Sequence, residues 1–155
     1  MYNIAMDKMD QYQLPSVIEG VRAAFGLAMP VKDPTQLGPL VLAYVGDTVF
    51  DLYVRTRLIL TTDLTAHGLH MLAAKRVCAA AQAESFRKVE PLLTEDELAV
   101  YRRGRNSHIG TVPKNASIAD YRSATGLEAV IGWLYLKGRD DRLTLIMNTI
   151  LNEQE

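Results

Sequence analysis

The fold of this protein is decided by residues 39–59, which read PLVLAYVGDTVFDLYVRTRLI. A helix drawn through this segment has apolar side chains on nearly every side, which is typical of a central helix that others surround. The valines would also suit a strand, but no turn interrupts the run for about 20 residues, and this length favours a helix. Gly38 and Pro39 mark its start, because proline suits the first helical turn, where its missing N–H is not needed.

The rest of the chain also has helical patterns, and no alternating strand pattern occurs in it. Caps are expected at Asp63 or Thr65, at Thr94 in a capping box with Glu97, and at Asp140. We therefore predict an all-α protein with two parts, an N-terminal extension with one amphipathic helix (1–32) and a main helical domain (33–155). Five helices are expected besides the central one, at residues 14–25, 66–89, 94–104, 117–137 and 140–151.

Composition excludes several classes of protein. The single cysteine, Cys78, allows neither a disulfide framework nor a cysteine-based zinc site, and this fits a reducing cytoplasm. His67, His70 and His108 have no spacing that suggests zinc. The N-terminus has no basic stretch followed by an apolar run, so no signal peptide is expected. Charged residues interrupt every apolar segment before it reaches the roughly 20 residues that a membrane span needs. We expect a cytoplasmic protein without a membrane partner.

The charge is unevenly distributed. The net charge of −1 argues against a protein that coats nucleic acid through bulk charge. Residues 98–119, however, contain no acidic residue, while Arg102, Arg103, Arg105 and Lys114 all lie there. A basic run is often only a solvated surface. Here it falls in a segment rich in Gly, Asn, Ser and Pro, which favours a binding loop.

Asp47 is a carboxylate where none is expected, in the middle of the apolar helix. A buried carboxylate without a partner is costly, so it should be ion-paired, protonated or bound to a metal. The candidates for an ion pair are Arg55, Arg57 and Arg122. Gly46 precedes it at a cost of roughly 1 kcal/mol against alanine, which suggests that another backbone approaches closely there.

Glu128 repeats this pattern in the run LEAVIGWL (127–134), with Gly126 and Gly132 on either side. If the two apolar helices cross near Gly46 and Gly126, both carboxylates meet in the core. Such a pair needs a shared proton or a cation, and oxygen ligands select Mg²⁺ or Mn²⁺. Asp51 could extend this site, but an ion pair with Arg55 at i+4 is the preferred interpretation.

The segments around Asp47 and Glu128 resemble those of a known family. Residues 43–50 (AYVGDTVF) resemble the signature of ribonuclease III, and residues 127–132 (LEAVIG) resemble its second catalytic segment. The likeness covers about residues 33–138 in consistent order, and residues 1–30 fall outside it. Three further stretches resemble the Mini-III branch of the family: 101–106 (YRRGRN), 113–116 (PKNA) and 121–126 (YRSATG).

This resemblance implies that residues 33–155 are the catalytic domain, a ribonuclease III endonuclease-domain-like helical bundle that forms a homodimer and cuts double-stranded RNA. Asp47 and Glu128 would be both the catalytic residues and the ligands of Mg²⁺, with Mn²⁺ as a substitute. The products would carry 5′-phosphate and 3′-hydroxyl ends, and the substrate would be a precursor of large-subunit ribosomal RNA. The RNA would be gripped by phosphate and hydroxyl contacts from Arg102, Arg103, Arg105, Asn106, Lys114 and Asn115.

The sequence departs from the full-length family pattern at three acidic positions, where Leu40, Ala43 and Thr125 stand. The Mini-III branch shares these losses, so waters and RNA phosphate would complete the metal shell. Mini-III enzymes also lack a separate double-stranded-RNA-binding domain, and the 27 residues after Glu128 are too few for one. Two other functions stay open, a non-catalytic RNA-binding or ribosome-associated protein on this fold and a helical adaptor that uses its apolar helices only to dimerise.

Overall fold

The structure, a computed structural model, describes residues 16–25, 32–108 and 110–152. The regular structure in these ranges is entirely helical, which confirms the all-α prediction; Leu14, the first residue of the first predicted helix, lies outside them. Short 3₁₀ turns at Pro34–Gln36 and Glu90–Leu92 precede the second and fifth helices. In chain order the helices are α1 (Val17–Ala24), α2 (Pro39–Thr61), α3 (Ala66–Val77), α4 (Ala79–Val89), α5 (Glu95–Arg105), α6 (Ile118–Leu136) and α7 (Asp140–Leu151).

α6, rather than α2, is the central helix. It contacts α2, α4, α5 and α7, and it carries fully buried Leu127, Ala129, Val130 and Ile131. The expectation that other helices surround α2 is wrong for the described residues, because they cover only one of its faces. A set of apolar side chains on its other face is exposed: Leu40, Val41, Tyr44, Leu52 and Ile59.

The single long helix predicted over residues 66–89 is also wrong. The chain leaves helical geometry at Cys78, whose φ of −67° and ψ of 157° are those of extended backbone. The break lets α3 pack on α2 through buried Ala73, while α4 turns to pack Phe86 and Val89 against the rest of the core. No proline or glycine marks the break, since any residue can adopt this conformation.

The caps agree with the sequence at two of three helices. The Thr65 side chain accepts the Gly68 N–H, as predicted, and the capping box of α5 is present. Asp140 is the first residue of α7 and not its cap. Arg139 occupies that position because its N–H donates to the Leu134 carbonyl at the end of α6 while its own carbonyl accepts the first bond of α7. Gly138, with φ of 69°, makes this tight turn possible.

α1 packs near the carboxyl end of α6, with Ile18 buried beside Gly138. The division of the chain at residue 32 stays a prediction. No helix in the described parts of the chain is both long enough and apolar enough to span a bilayer.

A buried ion pair joins α5 to α7. Glu97, 2% exposed, accepts hydrogen bonds from Arg142 Nε and Nη2, each at 2.8 Å, and Arg142 Nη2 also donates to the Leu92 carbonyl. Burial alone would raise the pKa of Glu97, but the bonds from Arg142 and from the Thr94 N–H outweigh it and lower the pKa below its usual value. The folded protein therefore favours the charged carboxylate.

We expect Glu97→Gln to destabilise the protein by about 3 kcal/mol at pH 7, because it leaves the charge of Arg142 without its partner. Because folding lowers the pKa of Glu97, the charged carboxylate stabilises the folded protein at neutral pH. This stabilisation is lost as the pH falls below about 4.5. Urea unfolding at pH 7 and pH 4 would measure both effects. Glu95→Gln, at an exposed position of the same turn, is the control. Equal losses in the two variants would contradict the prediction.

Candidate active site

Two helices meet with their backbones in contact at the centre of the molecule. A Cβ built on Gly46 of α2 would lie 1.8 Å from the Glu128 carbonyl oxygen of α6, and one built on Gly132 would lie 2.0 Å from the Leu42 carbonyl oxygen. Only glycine fits at such distances. The predicted close approach at Gly46 is therefore present, and it brings the two carboxylate-bearing segments together.

The helices were predicted to cross near Gly46 and Gly126, but the glycine of α6 at the crossing is Gly132. Gly132 faces α2, whereas Gly126 faces α5, where a Cβ would lie 2.6 Å from the Tyr101 ring. Gly104 of α5 in turn approaches the Gly126 Cα. Gly126 and Gly132 differ by six residues, which on a helix is about 240° of rotation, so they cannot face the same neighbour.

Asp47 and Glu128 line one cavity of about 530 Å³ between α2, α4 and the amino-terminal half of α6. Asp47 is exposed, not buried as expected, because it lies one residue, and hence about 100°, beyond the buried Gly46. Glu128 is half-buried. Burial first, and then the negative charge of Asp47, raise the pKa of Glu128 to about 8. The two carboxylates therefore interact directly.

The alternative of an ion pair does not hold for these two residues. Arg55 Nε donates instead to Asp51, at 2.8 Å, as the preferred interpretation of Asp51 predicted. Among the ranges that the structure describes, no basic side chain forms an ion pair with Asp47 or Glu128. Within these ranges no protein cation balances the two carboxylates.

The donor set fits a hard divalent cation. Two carboxylates from facing helices supply oxygen ligands, and a cation between them would offset the repulsion from Asp47 that, after burial, raises the pKa of Glu128. Within residues 16–25, 32–108 and 110–152 no group of three or more His, Cys, Asp or Glu is placed to hold a metal. Water and a substrate oxygen would have to fill the remaining positions. Thr125 lines the same cavity, and its hydroxyl donates to the Tyr121 carbonyl within the helix.

Gln82 is a residue of this cavity that the sequence interpretation missed. It is 1% exposed, and its Nε2 has no partner with hydrogen-bond geometry among the described residues. The amide lies near Glu128 and works against the rise in the pKa of that carboxyl. A signal was present in the sequence, since Gln82 shares the buried stripe of α4 with Phe86 and Val89, at i+4 and i+7.

The predicted RNA-binding residues fall into two groups. The last turn of α5, and not the loop that follows it, contains Arg102, Arg103 and Arg105. Asn106 is the C-terminal cap of this helix. Arg103 donates to the Thr35 and Leu37 carbonyls, at 3.0 and 2.9 Å. These two bonds fix the segment before α2, and the contact of Arg103 with RNA stays a prediction.

The other group faces solvent or the cavity. The Arg105 guanidinium lies 5.6 Å from the centre of the Tyr101 ring and donates to the Asn106 side chain at 3.2 Å. Lys114 is exposed, and Asn115 lines the cavity of the two carboxylates. The loop after α5 thus reaches the cavity through Asn115.

Comparisons with known proteins show which family this chain resembles. The family model described as "Ribonuclease III domain" matches residues 40–139. Mini-ribonuclease 3 of Clostridium tetani is 45% identical over 125 residues, which cover 80% of this chain and 83% of that protein. Mini-ribonuclease 3 of Staphylococcus aureus is 40% identical, with 76% of this chain and 92% of that protein covered.

A crystal structure of a Fusobacterium nucleatum protein superimposes with a TM-score of 0.69 at 29% identity. The superposition covers 76% of this chain and 93% of that one. The family match spans both helices that carry the carboxylates, and the relatives share most of their length with this chain. The chain belongs to the ribonuclease III family, and within it to the Mini-ribonuclease 3 branch.

Proposed function

We propose that this endoribonuclease cuts double-stranded RNA in a reaction that depends on Mg²⁺, with Mn²⁺ as a substitute, and leaves 5′-phosphate and 3′-hydroxyl ends. The observation that carries the proposal is the pair of carboxylates in one open cavity, with no balancing cation among the residues that the structure describes. A non-catalytic RNA-binding protein or an adaptor would have no use for this costly arrangement.

Asp47 and Glu128 would hold the ion, Asp47 from the solvent side of the cavity and Glu128 from its inner wall. When bound, Mg²⁺ supplies charge neutralisation at the scissile phosphate and activation of the attacking water. Glu128 must be in its charged form to be a ligand, and the neighbouring Gln82 amide favours that form. Asn115, which lines the cavity, would donate a hydrogen bond to the RNA backbone.

Incubation with a duplex RNA and with its separate strands, in Mg²⁺ or in EDTA, tests this proposal. We expect cleavage of the duplex alone and only with Mg²⁺, and phosphatase sensitivity at the 5′ ends. Binding without cleavage would favour the RNA-binding alternative, and absence of binding would favour the adaptor. Equal cleavage in EDTA would contradict metal dependence.

We propose further that a second copy of the chain covers the exposed apolar face of α2. Tyr44 is 83% exposed there, and with Val41 and Leu52 it recurs at helical spacing along one side. An exposed apolar stripe of this kind is typical of an interface. A two-fold axis near α2 would also provide the two active sites that staggered cutting of a duplex needs.

We expect a stable homodimer at micromolar concentration in sedimentation experiments, and Leu52→Asp should convert it to monomers. The matched control is Leu145→Asp on α7, where the leucine is 45% exposed, against 57% for Leu52. Both variants add the same charge to a surface leucine. A parent protein that sediments as an active monomer, or equal dissociation in both variants, would contradict the proposed interface.

For the RNA grip we propose Arg105 and Lys114 as phosphate contacts, with Arg102, Asn106 and Asn115 beside them. Replacing Arg105 and Lys114 with alanine should weaken binding of all duplex sequences alike. The slope of log affinity against log salt should fall by about two, because each phosphate contact releases about one counterion. Arg103 is kept in this test because it holds Thr35 and Leu37.

The control for this variant removes two cations at the other end of α6, Lys137 and Arg139. Lys137 lies over the Trp133 ring, and Arg139 pairs with Asp141. This control changes net charge equally, so it measures any long-range effect of charge on binding. Equal salt slopes in both double variants would show that the loop is not the RNA grip.

The natural substrate that we propose is a precursor of large-subunit ribosomal RNA, processed in the cytoplasm. The support is the resemblance of residues 101–126 to the Mini-III branch. Purified precursor RNA should be cut at a small number of duplex positions by the parent protein. Random cutting of any duplex at the same rate would contradict this choice of substrate.

A further inference from the structure

The described part of the chain has two large polar side chains that are essentially buried, and only one of them is satisfied. Glu97 is bonded by Arg142 and by the Thr94 N–H. Gln82, equally buried, has no hydrogen-bond partner for its Nε2. A buried donor without a partner is destabilising, so a position that keeps one calls for a reason.

The surroundings of Gln82 supply that reason. It lines the cavity that also contains Asp47 and Glu128, and its amide lies on the Glu128 side. The break at Cys78 sets the direction of α4, and Gln82 is on the first turn after that break. A straight helix over residues 66–89 would carry this side chain in another direction.

The chemistry of a primary amide suits this place. Its N–H₂ group donates two hydrogen bonds, and a carboxylate ligand has lone pairs left over after it binds a cation. Donors behind metal ligands commonly fix ligand orientation, and their loss weakens metal binding or activity about 10- to 100-fold. Because it carries no charge, glutamine can do this without competing with the cation.

We propose that Gln82 is a positioning residue for the two-carboxylate site: its buried Nε2, which has no partner among the described residues, donates to the Glu128 carboxylate once a cation is bound and holds it turned toward Asp47. The inference rests on the proposed metal-dependent function. It predicts that Gln82 contributes to metal binding at the expense of stability. A merely structural role predicts the opposite, a loss of stability with metal binding unchanged.

The test uses Gln82→Leu, which removes the donor and keeps most of the volume, and Gln82→Met, which keeps the unbranched shape. Mn²⁺ binding is measured by calorimetry, and thermal unfolding is measured in EDTA. We expect both variants to bind Mn²⁺ about tenfold more weakly than the parent, with an unfolding temperature in EDTA equal to or above that of the parent. Cleavage should show a higher Mg²⁺ requirement.

Ser85→Ala is the matched control, because Ser85 is a buried polar residue of the same helix whose hydroxyl donates within the helix to the Ala81 carbonyl. It should leave Mn²⁺ affinity unchanged. Parent-like Mn²⁺ affinity in the Gln82 variants would overturn the inference, as would lower stability in both of them. A parent protein that binds no Mn²⁺ would instead overturn the proposed function, so the two failures are distinguishable.

Discussion

Asp47→Asn and Glu128→Gln are each expected to reduce cleavage of duplex RNA by about 10³-fold or more, which corresponds to about 4 kcal/mol of transition-state stabilisation. Both changes keep the shape of the side chain and remove the charge that would hold the cation. Duplex affinity should stay near that of the parent, since the proposed RNA grip lies in the loop after α5. Single-turnover cleavage and filter binding would measure the two properties separately.

The stability of these variants gives an independent measurement. Burial and the charge of Asp47 raise the pKa of Glu128 to about 8 in the folded protein, above its usual value of 4.5. Its contribution to stability is therefore fully present below about pH 4.5 and is lost as the pH rises toward 8. In EDTA at pH 8, Glu128→Gln should be more stable than the parent by roughly 2–5 kcal/mol. At pH 4 the two should be alike.

Asp51→Asn is the matched control for cleavage. Asp51 lies one turn beyond Asp47 on α2, but its carboxylate accepts a hydrogen bond from Arg55 at the surface. This variant should cut RNA nearly as fast as the parent. If it is as impaired as Asp47→Asn, or if either carboxylate variant cuts at the parent rate, the assignment of the site to Asp47 and Glu128 is wrong.

The sequence predicted the features that depend on local spacing. The length and apolar character of residues 39–59 predicted α2, and the side chains of Thr65 and Thr94 predicted two helix starts, because these signals act within one or two turns. The pairing of Asp47 with Glu128 was also predictable. Each is an isolated carboxylate in an apolar helix with glycine nearby, and such residues need one another or a cation.

The remaining features depend on contacts between distant residues. The sequence around Gly126 and Gly132 does not show that α5 packs against the first glycine and α2 against the second. The bonds of Arg103 to the Thr35 and Leu37 carbonyls join residues more than 60 positions apart, so no local pattern could predict them. The apolar pattern of α2 predicts burial on every side, but a chain of helices can cover one face and leave the other for a second copy.

Gly46→Ala is expected to have the largest effect on stability of any single methyl group added to this protein. The new Cβ would lie 1.8 Å from the Glu128 carbonyl oxygen and 2.8 Å from the Gly132 nitrogen, both rigid backbone atoms. To relieve this overlap α2 and α6 must separate along the whole crossing, which opens the core between them. We expect a loss of about 4 kcal/mol or more.

Urea unfolding of Gly46→Ala would measure this loss, and Gly20→Ala makes the same chemical change where a Cβ meets nothing within 4 Å. At that exposed position of α1, alanine should stabilise the helix by up to about 1 kcal/mol, because it restricts the unfolded backbone more than glycine does. The two variants should therefore shift stability in opposite directions. Gly46→Ala should also weaken Mn²⁺ binding, since the contact that separates is the one that holds Asp47 beside Glu128. A Gly46→Ala protein with the parent's stability would mean that α2 and α6 do not cross at this glycine, and the proposed carboxylate pair would lose its structural basis.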